Sequence, residues 1–136
     1  MFNGLLNLYG DSHENVYASL INLVQQLITM GGYAEASSLV REYSPKCERA
    51  LGAGRATVVL KCLGARALFE VPGATREDIT SAVTILEEQH RAARRLLGAS
   101  HPNALFAKKQ LDKAQAKLAA GGEVFQTADD IAAFFG

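Results

Sequence analysis

A chain of 136 residues in which fourteen Lys and Arg balance fourteen Asp and Glu projects no global field, which argues against a nucleic-acid or anionic-membrane partner. With 49% hydrophobic and 21% charged residues it reads as globular rather than disordered, and its length suits one domain or a short array of repeated units. No apolar run approaches the roughly 20 residues of a membrane span, and "MFNGLLNLYG" lacks the basic start and cleavage site of a secretory signal.

In chain order, Val16, Leu20, Leu23, Val24, Leu27 and Ile28 recur at spacings of three and four, which predicts an amphipathic helix from Ser12 to Met30. "GGY" (Gly31 to Tyr33) ends it, because glycine supplies the left-handed residue that closes a helix. A second helix is expected over Ala34–Leu51, with Ala36, Leu39, Val40 and Tyr43 inward. Pro45 lies inside that span, so a kink or break is expected near Arg41–Ser44. A third helix covers Arg55–Glu70 and is followed by the loop "VPGA". Thr75-Arg76-Glu77-Asp78 has the form of a capping box and opens a fourth helix ending near Leu97. Pro102 starts a fifth, which runs to about Ala120 before Gly121 and Gly122. A last short helix is expected in "ADDIAAFF". The run "TVVL" (Thr57 to Leu60) leans towards strand but continues a helical pattern, so the chain is all-α.

Charge is unevenly placed. Residues 1–40 carry Asp11, Glu14 and Glu35 and no Lys or Arg, whereas all fourteen basic residues fall within 41–117. The stripe Lys108, Lys109, Lys113 and Lys117 reads as a solvated face that aids solubility. Cys47 and Cys62 have no close spacing and read as reduced core thiols, which points to an intracellular, cytoplasmic chain with an organelle left open.

Three joints resemble one another. Gly10, Gly52 and Gly98 lie 42 and 46 residues apart, and the additional four fit "VPGA". With that gap His13, Arg55 and His101 come into register, as do Leu23, Ala65 and Leu111. Each unit is then an antiparallel helix pair that buries its apolar stripe only by stacking on the next. Units fall near 10–51, 52–97 and 98–122 of a repeat domain spanning 1–122, and 123–136 form a short helix or docking tail.

The residues at these joints resemble the tetratricopeptide repeat of the kinesin-light-chain type. The matching positions are Leu20, Asn22 and Leu23, then Gly31, Tyr33 and Ala36, then Leu97, Gly98, His101 and Pro102. The likeness covers about residues 8–120; the second unit departs from it at Arg55 and Gly64, and the third is half present. It implies a short right-handed solenoid of about five main helices. It also implies an inner-helix groove that binds a peptide or protein, and no catalysis.

Candidate groove residues are Asn15, Ser19, Asn22 and Gln26, which share one stripe of the first helix, with Lys61 and Gln110 continuing it. Amides suit an extended peptide because they donate and accept together. The competing reading of that stripe is an ordinary solvated face. His13 and His101 read as structural caps at equivalent joints and His90 as an exposed residue, so no metal site is expected. Nor is a cofactor: "GAG" (Gly52 to Gly54) lacks the preceding strand of a phosphate loop. Glu87 and Glu88, like Asp129 and Asp130, are adjacent and point apart, unlike an acid–base pair. The apolar tail residues Phe125, Ile131, Phe134 and Phe135 suit docking on another chain. Two expectations follow: a non-enzymatic interaction module with a groove, or a structural subunit of a larger assembly held through its ends.

Overall fold

The computed structural model describes residues 14–120 and places five helices there: α1 (Glu14–Thr29), α2 (Tyr33–Leu51), α3 (Arg55–Glu70), α4 (Arg76–Leu97) and α5 (Pro102–Ala120). No strand occurs among the described residues. None of the described helices is long and apolar enough to cross a membrane.

Local chemistry sets the helix boundaries. After α1, Gly31 adopts φ +86°, the Gly31 N–H donates to the Ile28 carbonyl and the Gly32 N–H donates to the Leu27 carbonyl. This is a Schellman closure, which satisfies carbonyls that a helix end otherwise leaves unpaired. Gly52 and Gly98 terminate α2 and α4 alike, with φ of +80° and +98°; their N–H groups donate to Glu48 and Arg94, four residues back in each case. α4 opens with the expected capping box: the Asp78 N–H donates to Thr75 Oγ1 at 3.0 Å and the Thr75 N–H to Asp78 Oδ2 at 3.2 Å. At the start of α5, the Asn103 N–H donates to His101 Nδ1 at 3.1 Å, so His101 acts as a cap.

α2 runs unbroken through Pro45, so the expected break does not occur. Packing on both sides of the proline compensates for the missing hydrogen bond: Tyr43, Ser44 and Cys47 are buried, and Pro45 itself faces outward. Proline has no N–H, so the Arg41 carbonyl lacks its usual partner four residues on.

The short connections turn each helix back along its predecessor. Consecutive helices pack together, and α3 packs against α1 and α5 as well, whereas α2 and α4 do not touch. α3 is therefore central, and its buried residues run around most of its circumference: Thr57, Val58, Leu60, Cys62, Leu63, Gly64, Ala65, Ala67 and Phe69. One core joins Val16, Tyr17, Leu20, Val24 and Ile28 of α1 to Val40 and Cys47 of α2 and to Leu60, Leu63 and Ala67 of α3. A second joins Val58, Cys62, Ala65 and Phe69 of α3 to Ile79, Ala82 and Leu86 of α4 and to Ala107, Leu111 and Ala114 of α5. Phe106 touches both cores. The small residues Ala82, Ala93, Ala104, Ala107 and Ala114 let α3, α4 and α5 approach closely, since alanine fills little of the space between helix axes.

A candidate protein-binding cleft between α2 and α4

Because α2 and α4 stand apart on the same side of α3, they frame an open cleft of about 580 Å³. α3 forms its floor with Lys61, Gly64, Ala65 and Leu68. Ser37, Val40, Arg41, Ser44 and Pro45 form the α2 wall, and Ile85, Glu88 and Gln89 form the α4 wall. Gly64 lets α2 rest on the floor at this point: a Cβ built there would lie 2.6 Å from Val40 Cγ1, so the Val40 side chain packs on the α3 backbone where no second side chain fits.

The floor and lower walls are apolar, and two polar side chains stand among them. Ser44 and Gln89 each keep only 7% of their surface and make no side-chain hydrogen bond with any described residue. Their polar atoms are not sealed from solvent: among the described residues Gln110 Oε1 is the one fully buried side-chain polar atom without a partner. The rim is charged. Lys61 Nζ lies 3.4 Å from Glu48 Oε2 and is neutralised by it. Arg41 on one wall and Glu88 on the other are exposed and have no ion-pair partner among the described residues.

The six residues read from the sequence as a groove do not all meet here. Lys61 lines the cleft. Asn15, Asn22 and Gln26 are exposed on α1, Ser19 is half-buried beside them, and none of the four lines the cleft. Gln110 is buried in α5 with 3% of its surface exposed, and its Oε1 has no hydrogen-bond partner among the described residues. In the register expected from the sequence, Asn15, Ser19 and Asn22 correspond to Thr57, Lys61 and Gly64 of α3, and those three all meet α2: Thr57 at Cys47, Lys61 at Glu48, Gly64 at Val40. On α3 this stripe lies against α2, and Lys61, Gly64 and Leu68 of it also floor the cleft. The tail residues Phe125, Ile131, Phe134 and Phe135 lie outside the described residues, as do Gly10 and His13.

Other charged residues have structural partners. Lys117, expected to serve solubility, donates to the Phe69 carbonyl at the end of α3, where a cation also complements the helix dipole. Lys108 pairs with Asp112 at 2.7 Å and Arg66 with Glu70 at 2.6 Å. His90 is partly buried rather than exposed, and burial followed by the Arg94 and Lys108 charges holds its imidazole below the ordinary 6.5, with Asp112 opposing. Both cysteines are free. Burial pushes the Cys62 thiol up to about 12 and raises that of Cys47, whose Sγ lies 3.6 Å from Thr57 Oγ1. Such thiols stay protonated and are poor nucleophiles and poor metal ligands.

Sequence reasoning missed Ser44, Gln89, Arg41 and Glu88 as a set. Ser44 and Gln89 fall within the buried stripes of their helices, where a polar residue between apolar neighbours is the available signal. No family model, curated protein or solved structure matches this chain.

Proposed function

We propose that the chain is a non-enzymatic helical-repeat module, built on tetratricopeptide-like units, that binds a partner protein or peptide through the cleft between α2 and α4. The observation that carries this reading is the cleft itself: open, apolar at its base, and holding two buried polar side chains that find no hydrogen-bond partner among the described residues. Its volume falls within the roughly 300–1,000 Å³ of typical binding sites. The repeat is supported by the matched ends of α2 and α4 and by the contacts that link α1, α3 and α5 in a row. Binding rather than catalysis is supported by the chemistry of the lining. Its hydroxyls, amide, guanidinium and carboxylate are divided between α2 and α4, and the buried thiols of Cys47 and Cys62 stay protonated.

The test is affinity capture from native extract, comparing the intact chain with three variants. Ser37→Glu/Arg41→Glu alters the cleft rim, Asn15→Ala/Asn22→Ala/Gln26→Ala alters the α1 stripe, and a chain ending at Gly122 removes the tail. The reading expects the main partner to be lost only in the rim variant. Loss only in the stripe variant would place binding on α1. Loss only in the shortened chain would make this a subunit docked through its end.

A further inference from the structure

The cleft has a chemistry specific enough to describe its occupant. Resting on the reading above, we infer that it takes an extended peptide segment of about four residues, with an apolar side chain on the floor and an acidic and a basic side chain at the two rims. α3 supplies the floor of the cleft and α2 and α4 its walls, whereas the resemblance assigns its groove to α1, α3 and α5.

Length comes from the α2 wall. Ser37 to Pro45 is eight residue steps, about 12 Å at 1.5 Å per residue. An extended chain advances about 3.4 Å per residue, so about four residues fill that length.

Main-chain recognition comes from the unpaired groups. The Gln89 carboxamide offers a donor and an acceptor in one plane, which matches a peptide N–H and C=O together. The Ser44 hydroxyl on the opposite wall does either. An extended peptide has unused N–H and C=O groups along its whole length, whereas a helix has spent them internally.

Side-chain preference follows from charge and from the floor. Arg41 on the α2 wall and Glu88 on the α4 wall are of opposite sign and uncompensated by any described residue, so the occupant that matches both carries an acid towards α2 and a base towards α4. Val40, Ala65, Leu68 and Ile85 provide the apolar seat between them.

A phage-displayed library of random hexapeptides, selected on the full chain, tests this. Enrichment is expected for an apolar residue flanked by one acidic and one basic residue. A selected peptide should bind about tenfold or more weakly to Gln89→Leu, a loss in keeping with about 1.4 kcal/mol per lost hydrogen bond in a buried site. The thermal midpoint of that variant should equal or exceed that of the parent, because Gln89 has no hydrogen bond to a described residue to lose. Selection on Arg41→Glu should replace the acidic preference with a basic one.

The inference is overturned by enriched peptides without the charge pattern, by binding unchanged by Gln89→Leu, or by a lower thermal midpoint for Gln89→Leu, which would give the amide a structural role. Capture of a protein lost in the rim variant, with no peptide enriched, overturns the extended-peptide ligand and leaves the cleft reading standing. Capture unaffected by the rim variant overturns the cleft reading itself.

Discussion

Replacing Gly64 by alanine tests whether α2 and α3 meet at the distance described. In an uncrowded helix interior the change stabilises by about 0.5–1 kcal/mol, because glycine loses more backbone freedom on folding. Here the new Cβ would lie 2.6 Å from Val40 Cγ1 and 3.2 Å from Val40 Cβ, whereas carbon atoms rest about 3.5–4.0 Å apart. Val40 is β-branched and has essentially one rotamer in a helix, so it cannot swing aside. α2 must retreat by about 1 Å at its tightest contact, an overpacking that typically costs about 1–3 kcal/mol. The net expectation for Gly64→Ala is a loss of about 1–2 kcal/mol. Val40→Ala alone removes two carbons from a site with 7% exposure and should cost about 1.6 kcal/mol at roughly 0.8 per methylene. In the double variant the methyl introduced at position 64 enters the space that Val40 vacates, so the two losses should not add, and a coupling of about 1–2 kcal/mol should favour the pair. Urea unfolding followed by far-ultraviolet circular dichroism measures all four chains, provided the slopes with denaturant agree. A Gly64→Ala chain more stable than the parent, with additivity to within about 0.5 kcal/mol, would refute the close approach.

The other expectations rest on different parts of the molecule. Thr75→Ala removes one half of the capping box of α4 and should cost about 1 kcal/mol in the same urea assay, and Thr75→Ser should restore most of it. Cys47 and Cys62 should be nearly inert to a thiol-reactive disulfide reagent at about pH 8 in the native chain and both reactive in denaturant. Rapid labelling of Cys62 in the native chain would contradict its burial. His90 should titrate below 6.5 by proton NMR, and Arg94→Gln should raise its midpoint, since that substitution leaves the burial and removes one repelling charge. Because the folded value is the lower one, the unfolded chain binds more protons just below pH 6.5. The contribution of His90 to stability is therefore complete above that pH and is lost as the pH falls through 6.5 towards the folded value.

Recognition of the candidate site in the sequence was partial, and the reason is geometric. Lys61 could be picked out because the repeat register gives it a position, but register says nothing about which neighbouring helix covers that position. The stripe Asn15, Ser19, Asn22 and Gln26 reads as one polar face on α1, yet its expected counterpart on α3 lies against α2 and also floors the cleft at Lys61, Gly64 and Leu68. Gln110 reads as part of an accessible stripe and is buried, because α5 packs against both α3 and α4. Ser44 and Gln89 look like incidental polar residues in apolar stripes, and their significance depends on the gap between α2 and α4.

The all-α class, the five helices and their ends were legible because they depend on interactions within a few residues: apolar spacing, glycine at left-handed positions, proline at a first turn, a threonine and an aspartate three apart. The joint glycines illustrate this best, since Gly52 and Gly98 end α2 and α4 with the same bond to the residue four back. Tertiary packing decided the rest. It carried α2 through Pro45, because buried neighbours on both sides outweigh one missing hydrogen bond. It brought Lys117 to the end of α3, 48 residues away in the chain. It also held α2 and α4 apart over α3, because α3 presents a buried face to each. Those outcomes depend on which surfaces meet, a property of the folded chain that no window of neighbouring residues contains.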